Sequence, residues 1–181
     1  DDAQFGARLV GQLRDIGSKI SDKEEKGAYL VTLGDACIAF LDNRDEAMKA
    51  YQTSFKTYPK ETVCLDRARS IYRKIGEFPR VLVLYDLELK VKKDPVERAK
   101  VLIRKSQVMG DDQRDFEKAL ETIDQAMTLN PDNELAGALF DLYAEGLTIF
   151  GVIQDVVRDA KEHASSGDTK QASELMLEAA Q

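Results

Sequence analysis

Apolar residues return along this chain at a helical spacing, and the spacing itself repeats. Ala47, Tyr51 and Phe55 form an i, i+4, i+8 stripe, which recurs 36 residues later as Val83, Leu87 and Val91, and again as Ala119, Ile123 and Met127. Such a period lays the apolar side chains along one face of an α-helix. A second stripe precedes each of these: Leu30, Leu33, Cys37 and Phe40; then Leu65, Ala68, Tyr72 and Ile75; then Ala99, Leu102, Ser106 and Met109. Between the paired stripes lie short polar or glycine-containing breaks at Asp42-Asn43-Arg44-Asp45, Gly76-Glu77-Phe78-Pro79 and Gly110-Asp111-Asp112-Gln113. Each period is therefore predicted to be two antiparallel helices and two turns, and the fold class all-α.

The turn signals keep the same beat. Pro59, Pro95 and Pro131 are separated by 36 and 36 residues, and the next step falls on Gly167. One step back from Pro59 is Lys23, inside Ser21-Asp22-Lys23-Glu24, whose serine and glutamate have the spacing of a capping box. Proline next to an acidic residue suits a first helical turn, where no N–H is needed and negative charge meets the positive end of the dipole. The predicted arrangement is one array over residues 1–181. It comprises a flanking helix at 1–20, helix pairs at 24–59, 60–95, 96–131 and 132–165, and a terminal helix at 168–181. In the flanking helix Phe5, Leu9, Leu13, Ile16 and Ile20 make the apolar face, with Gly6, Gly11 and Gly17 weakening its propensity. Leu135, Leu139, Phe140 and Tyr143 begin the fourth pair, Gly146 is expected to turn the chain, and Val152, Val156 and Ala160 follow. Ala172, Met176 and Ala179 are expected to point inward from the last helix.

These residues resemble the tetratricopeptide repeat, whose two helices carry a fixed alternation of large and small apolar residues and often close on proline. Ala119, Ile123, Ala126 and Pro131 fall on the spacings of that family's second helix, and Ala47, Tyr51, Ser54 and Pro59 repeat them. Leu33-Gly34, and Ala68 with Tyr72, look like first-helix positions. The period of 36 is longer than the family's 34, and the second repeat has Val81, Tyr85 and Glu88 where small residues are usual. The resemblance implies a superhelix of stacked pairs with a concave face lined by first helices, because a pair with an exposed apolar stripe must stack on its neighbours to bury it. Solvent-facing positions of those helices would then be Val31 and Asp35; Asp66, Ser70, Arg73 and Lys74; Lys100, Arg104 and Gln107; and Gly137, Asp141 and Glu145.

Composition narrows the role. Of 181 residues 43% are hydrophobic and 33% charged, and only four are proline, which fits an ordered helical chain. No uninterrupted apolar run approaches the roughly 20 residues that span a bilayer. The chain opens at Asp1-Asp2 without a basic and apolar leader, so neither membrane insertion nor a signal peptide is expected, and the expected compartment is cytoplasmic. Charge is uneven: residues 60–110 hold 13 basic and 7 acidic side chains, and residues 111–181 hold 5 and 16. With a net charge of −7, general nucleic-acid binding is not expected. Cys37 and Cys64 lack metal-site spacing and read as buried free thiols. His163 suits the negative end of a helix, and Asp111, Asp112 and Asp115 suit caps more than a calcium loop. Glu24 and Glu25, Asp45 and Glu46, and Asp132 and Glu134 sit at helix starts, where acids are structural. No phosphate loop, dinucleotide fingerprint, zinc-protease or nucleophile-elbow motif occurs. No enzyme activity, cofactor or metal is expected.

A curved array of this kind binds. The expected role is a non-enzymatic interaction module or scaffold holding a partner protein or acidic peptide. Arg73, Lys74, Lys100 and Arg104 would form a basic ladder for its carboxylates, with Ser70 and Gln107 as further binding residues. The paired lysine and asparagine pattern of the family's carboxylate-clamping members is absent. Two other roles stand beside this one: an RNA-processing scaffold using the basic middle, and self-association through an uncapped apolar end.

Overall fold

The first two polar breaks separate helices, whereas helical backbone runs through Gly110, Asp111 and Asp112 of the third. The computed structural model describes residues 2–179, and among them there are nine α-helices and no strand. The helices are α1 Asp2–Lys19, α2 Lys23–Leu41, α3 Arg44–Thr57, α4 Val63–Lys74, α5 Phe78–Val91, α6 Pro95–Gln107, α7 Phe116–Leu129, α8 Glu134–Ser165 and α9 Thr169–Glu178. A π-helical segment, Val108–Asp112, continues from α6. The expected helix limits at residue 1 and at 180–181 lie outside the described residues. Asparagine and aspartate side chains start the helices by accepting from backbone N–H groups: Asp22 from Glu25, Asn43 from Glu46, Asp115 from Lys118, Asn133 from Ala136 and Asp168 from Gln171. Asp22 thus caps α2 in place of the expected Ser21–Glu24 box.

The chain divides into two compact units, residues 1–101 and 102–181. In the first, α1 packs on α2, α2 on α3, α3 on α4 and α4 on α5. Its core runs through Val10, Val31, Leu33, Cys37, Ala47, Tyr51, Cys64, Leu65 and Ala68. Close approach is built in by glycine. Tyr51 lays its ring on Gly34, so near that a Cβ there would stand 2.3 Å from the ring, and its hydroxyl donates to Asp35 at 2.7 Å. Ser54, fully buried, donates to the Gly27 carbonyl at 2.8 Å. Burial and the neighbouring Asp35 carboxylate both raise the Tyr51 phenol above its ordinary range.

The second unit uses the same device. Tyr143 of α8 covers Gly110 and donates to Asp111 at 3.1 Å. Ala119, Ile123 and Ala126 of α7 are fully buried, alongside Ala136, Leu139 and Tyr143 of α8. Phe116 packs on Gly146 and meets the Tyr143 ring at 6.2 Å between centroids. Ala160 and Ala172 are buried where α8 pairs with α9.

Several expectations need correction. In α5 Val83 is 57% exposed, and the inward residues are Val81, Tyr85 and Glu88. The inward positions are therefore 34 residues apart from Ala47 to Val81 and 38 from Val81 to Ala119, and the even proline spacing averages the two. The extra residues fall in the stretch that holds the π-helical segment, whose wider turn adds a residue to the helical ladder. Val31, expected to face solvent, is buried; Phe40 and Ile75, expected inside, are exposed. In α1 the packed positions are Gly6, Val10 and Gly17, and Phe5 and Ile16 are exposed. The glycines are contact points there, Gly6 against the Phe40 carbonyl and Gly17 against the Tyr29 ring. Met176 is also exposed.

The largest correction concerns α8. No turn forms at Gly146, which lies against Phe116 within one continuous 32-residue helix. An 18-residue stretch within it has a mean hydropathy of 1.4, so by length and composition this helix is able to cross a membrane. Asp141 and Glu145 interrupt its apolar stretch, so no unbroken apolar run marks it in the sequence. Asp141 would cost about 2.5–3.5 kcal/mol at a bilayer centre, and Glu145 adds a second charge.

Gly34→Ala is expected to destabilise the chain by about 1–3 kcal/mol, since the methyl group overlaps the Tyr51 ring. Gly11→Ala, with no atom near its added Cβ, is expected to stabilise by about 0.5–1 kcal/mol. Urea unfolding of both variants checks the opposed signs.

Candidate functional site

Helix α4 carries two different faces. Cys64, Ala68 and Tyr72 recur at i, i+4, i+8 and pack inward with Leu65, while Arg67, Ser70, Arg73 and Lys74 are exposed. The inward face forms the floor of a groove of about 440 Å³, walled by Met48, Gln52 and Phe55 of α3 and by Leu84 and Leu87 of α5. Lys49 and Lys56 complete the α3 wall, and no acidic residue lines the groove. Lys56 makes no ion pair among the described residues, and Lys49 reaches Glu46 at 3.6 Å. The opening is apolar inside and positive at one edge.

A buried ion pair fixes the far wall. Arg69 of α4 and Glu88 of α5, both almost wholly buried, meet at 2.7 Å, and Arg69 also bonds Asp66 and donates to the Leu84 carbonyl at 3.3 Å. The guanidinium stands 4.1 Å from the Tyr85 ring centroid, where the ring face favours a cation. Two charges taken from water demand this many partners, and the pair therefore sets how α4 and α5 sit against each other. Tyr72, in the groove floor, is covered on one side by Arg80 at 5.3 Å.

The groove offers shape and charge rather than reactivity. Cys64 is fully buried and donates to the Glu61 carbonyl, and desolvation raises its thiol above the ordinary value, so the thiolate nucleophile is disfavoured. Cys37 is raised for the same first reason, and both thiols are free. Among the described residues no cluster of three or more metal-binding side chains occurs.

The expected ladder positions are divided between the two units. Ser70, Arg73 and Lys74 share the exposed side of α4 in the first unit. Lys100 is exposed on α6 and bonded to Glu97 at 2.8 Å, which lowers the glutamate's pKa. Arg104 and Gln107 are half-buried and belong to the second unit, so the six positions do not form one site within either unit. Of the other first-helix positions, Asp35 is engaged by Tyr51 and by Arg67 at 3.1 Å. The groove was not foreseen in the sequence, since it is assembled from three helices. Its signals were Met48 and Phe55 spaced i, i+7 on the edge of the α3 stripe, and a glutamate standing where the family resemblance places a small residue.

No family model and no curated protein sequence matches the chain. Among solved structures, a 41-to-end form of MamA from Desulfovibrio magneticus RS-1 is similar at 17% identity and a TM-score of 0.40, and a MamA RS-1 ArsTM double mutant at 16% and 0.41. Each comparison covers 99% of this chain and 93% of the other. The helical-repeat character rests on the packed helix pairs described above.

Glu88→Ala is expected to cost about 3–5 kcal/mol, because Arg69 keeps its charge in the interior without its main partner. Arg69→Met combined with Glu88→Leu is expected to recover most of that loss. Thermal unfolding of the single and double variants checks it; equal losses in both would contradict the ion-pair account.

Proposed function

We propose that this chain is a non-enzymatic helical-repeat scaffold that holds a partner protein through an acidic segment. The observation carrying this reading is the two-sided α4, whose inner face is committed to packing while Ser70, Arg73 and Lys74 stand exposed on its outer side. Arginine and lysine there meet carboxylates by charge-assisted hydrogen bonds, and Ser70 adds a neutral donor. Lys100 belongs to the same reading as an accessory cation that exchanges its Glu97 partner for the ligand. Arg104 and Gln107, in the second unit, are not part of this surface. Buried, protonated, unpaired thiols fit a reducing compartment such as the cytoplasm.

The RNA-scaffold alternative draws on the surplus of cations in residues 60–110, four of which are held in ion pairs. Arg67 bonds Asp35, Arg69 bonds Glu88, Arg80 bonds Glu77 and Lys100 bonds Glu97.

Affinity capture with the chain as bait tests the proposal. Partners held at low salt are expected to survive ribonuclease, to be released by high salt, and to fall about tenfold or more with Arg73→Glu/Lys74→Glu. An unchanged set of partners on that variant overturns the α4 surface, and loss of all partners on ribonuclease treatment returns the RNA reading.

A further inference from the structure

The second unit presents a surface that nothing in it covers. Between Tyr143 and Ala160 helix α8 has no buried residue, and Leu142, Ile149 and Val152 are 55%, 52% and 59% exposed. Leu135, Leu142 and Ile149 fall seven residues apart, which keeps them on one side of the helix, with Ile153 continuing the line. Isolated surface leucines need no explanation, whereas an apolar line along about five turns does. Asp141 and Glu145 flank it, both exposed and neither in an ion pair among the described residues.

We infer that this acid-flanked ridge of α8 docks in the lysine-edged groove over α4 of a second copy of the chain, joining copies head to tail. The inference extends the scaffold reading to self-assembly and uses different residues from the outer side of α4. Three observations select this occupant. Charge is the first: Asp141 and Glu145 bring negative charge to a groove with Lys49 and Lys56 on its edge and no acid in its lining. Length is the second. The 14-residue helices α3 and α5 that wall the groove are each about 21 Å long, and Leu142–Ile153 is about 18 Å. The third is the poor quality of the symmetric alternatives. Pairing α8 with α8 sets Asp141 and Glu145 of one copy near the same acids of the other. Pairing groove with groove joins two concavities and four lysines. Opposed charge favours the heterologous contact over either isologous one.

Because both partners are the same chain, a charge swap gives a specific test. Sedimentation velocity of wild type over a wide concentration range in low salt is expected to show reversible association, weakened by added salt. Lys49→Glu/Lys56→Glu, with an acidic groove and an acidic ridge, is expected to associate at least about tenfold more weakly, and so is Asp141→Lys/Glu145→Lys, with both surfaces basic. Mixing the two variants restores opposite charge at every contact and is expected to restore association. Circular dichroism of each variant confirms folding, since all four positions lie at the surface or the groove edge. A wild type that stays monomeric throughout overturns the inference and leaves the partner-capture test on Arg73 and Lys74 unaffected. Variants that associate like wild type, or a mixture that does not recover, also overturn it by placing the contact elsewhere.

Discussion

A helix pair of this kind has more apolar surface than its own two members can cover, and that shortage organises the molecule. Helix α3 cannot bury Ala47, Tyr51 and Phe55 on α2 alone, and α4 supplies Cys64, Leu65 and Ala68 to finish the task. The backbones approach closely enough only where a side chain is missing or small. Gly34 under Tyr51 and Gly110 under Tyr143 are the two clearest cases, each with the following aspartate accepting from the tyrosine hydroxyl. The repeated Gly-Asp and tyrosine arrangement gives each unit an aromatic anchor whose polar end is satisfied. Where the repeat departs from small residues, at Glu88, it brings in Arg69 and replaces apolar contact by a buried ion pair.

That shortage also explains the candidate surfaces. Three successive helices in the first unit leave a groove where two long side-chain rows, from α3 and α5, rise on either side of the small and flat floor of α4. In the second unit α7 is 14 residues long and α8 is 32, so α7 covers only part of its partner, and α9 pairs with the far end. The stretch between is left with an apolar ridge facing water. An interaction surface arises in both units from a mismatch in how much each helix has to pack against.

Helical periodicity and turn residues make the all-α fold legible in the sequence. The finer registry is not. Prolines spaced 36 and 36 conceal inward positions spaced 34 and 38, since a proline marks a turn and does not report how a π-helical segment redistributes residues ahead of the next helix. Gly6 and Gly17 looked like weaknesses in α1 and are its contact points, because hydrophobic patterning registers what a side chain brings and not the room its absence makes. Gly146 looked like a turn for the same reason. Of the expected binding residues, Ser70, Arg73 and Lys74 follow from the amphipathic spacing of α4. The groove depended on contacts between α3, α4 and α5, which no local pattern encodes.

Native-state hydrogen exchange on dilute protein tests most directly whether burial by neighbouring helices sets the stability of each part. The account predicts slow exchange in α2, α3 and α4, whose inward residues are covered on successive sides. It predicts much faster exchange across residues 144–159 of α8, a stretch without a buried residue although it is continuously helical. Uniform protection along the whole of α8, equal to that of α2 and α3, would contradict it.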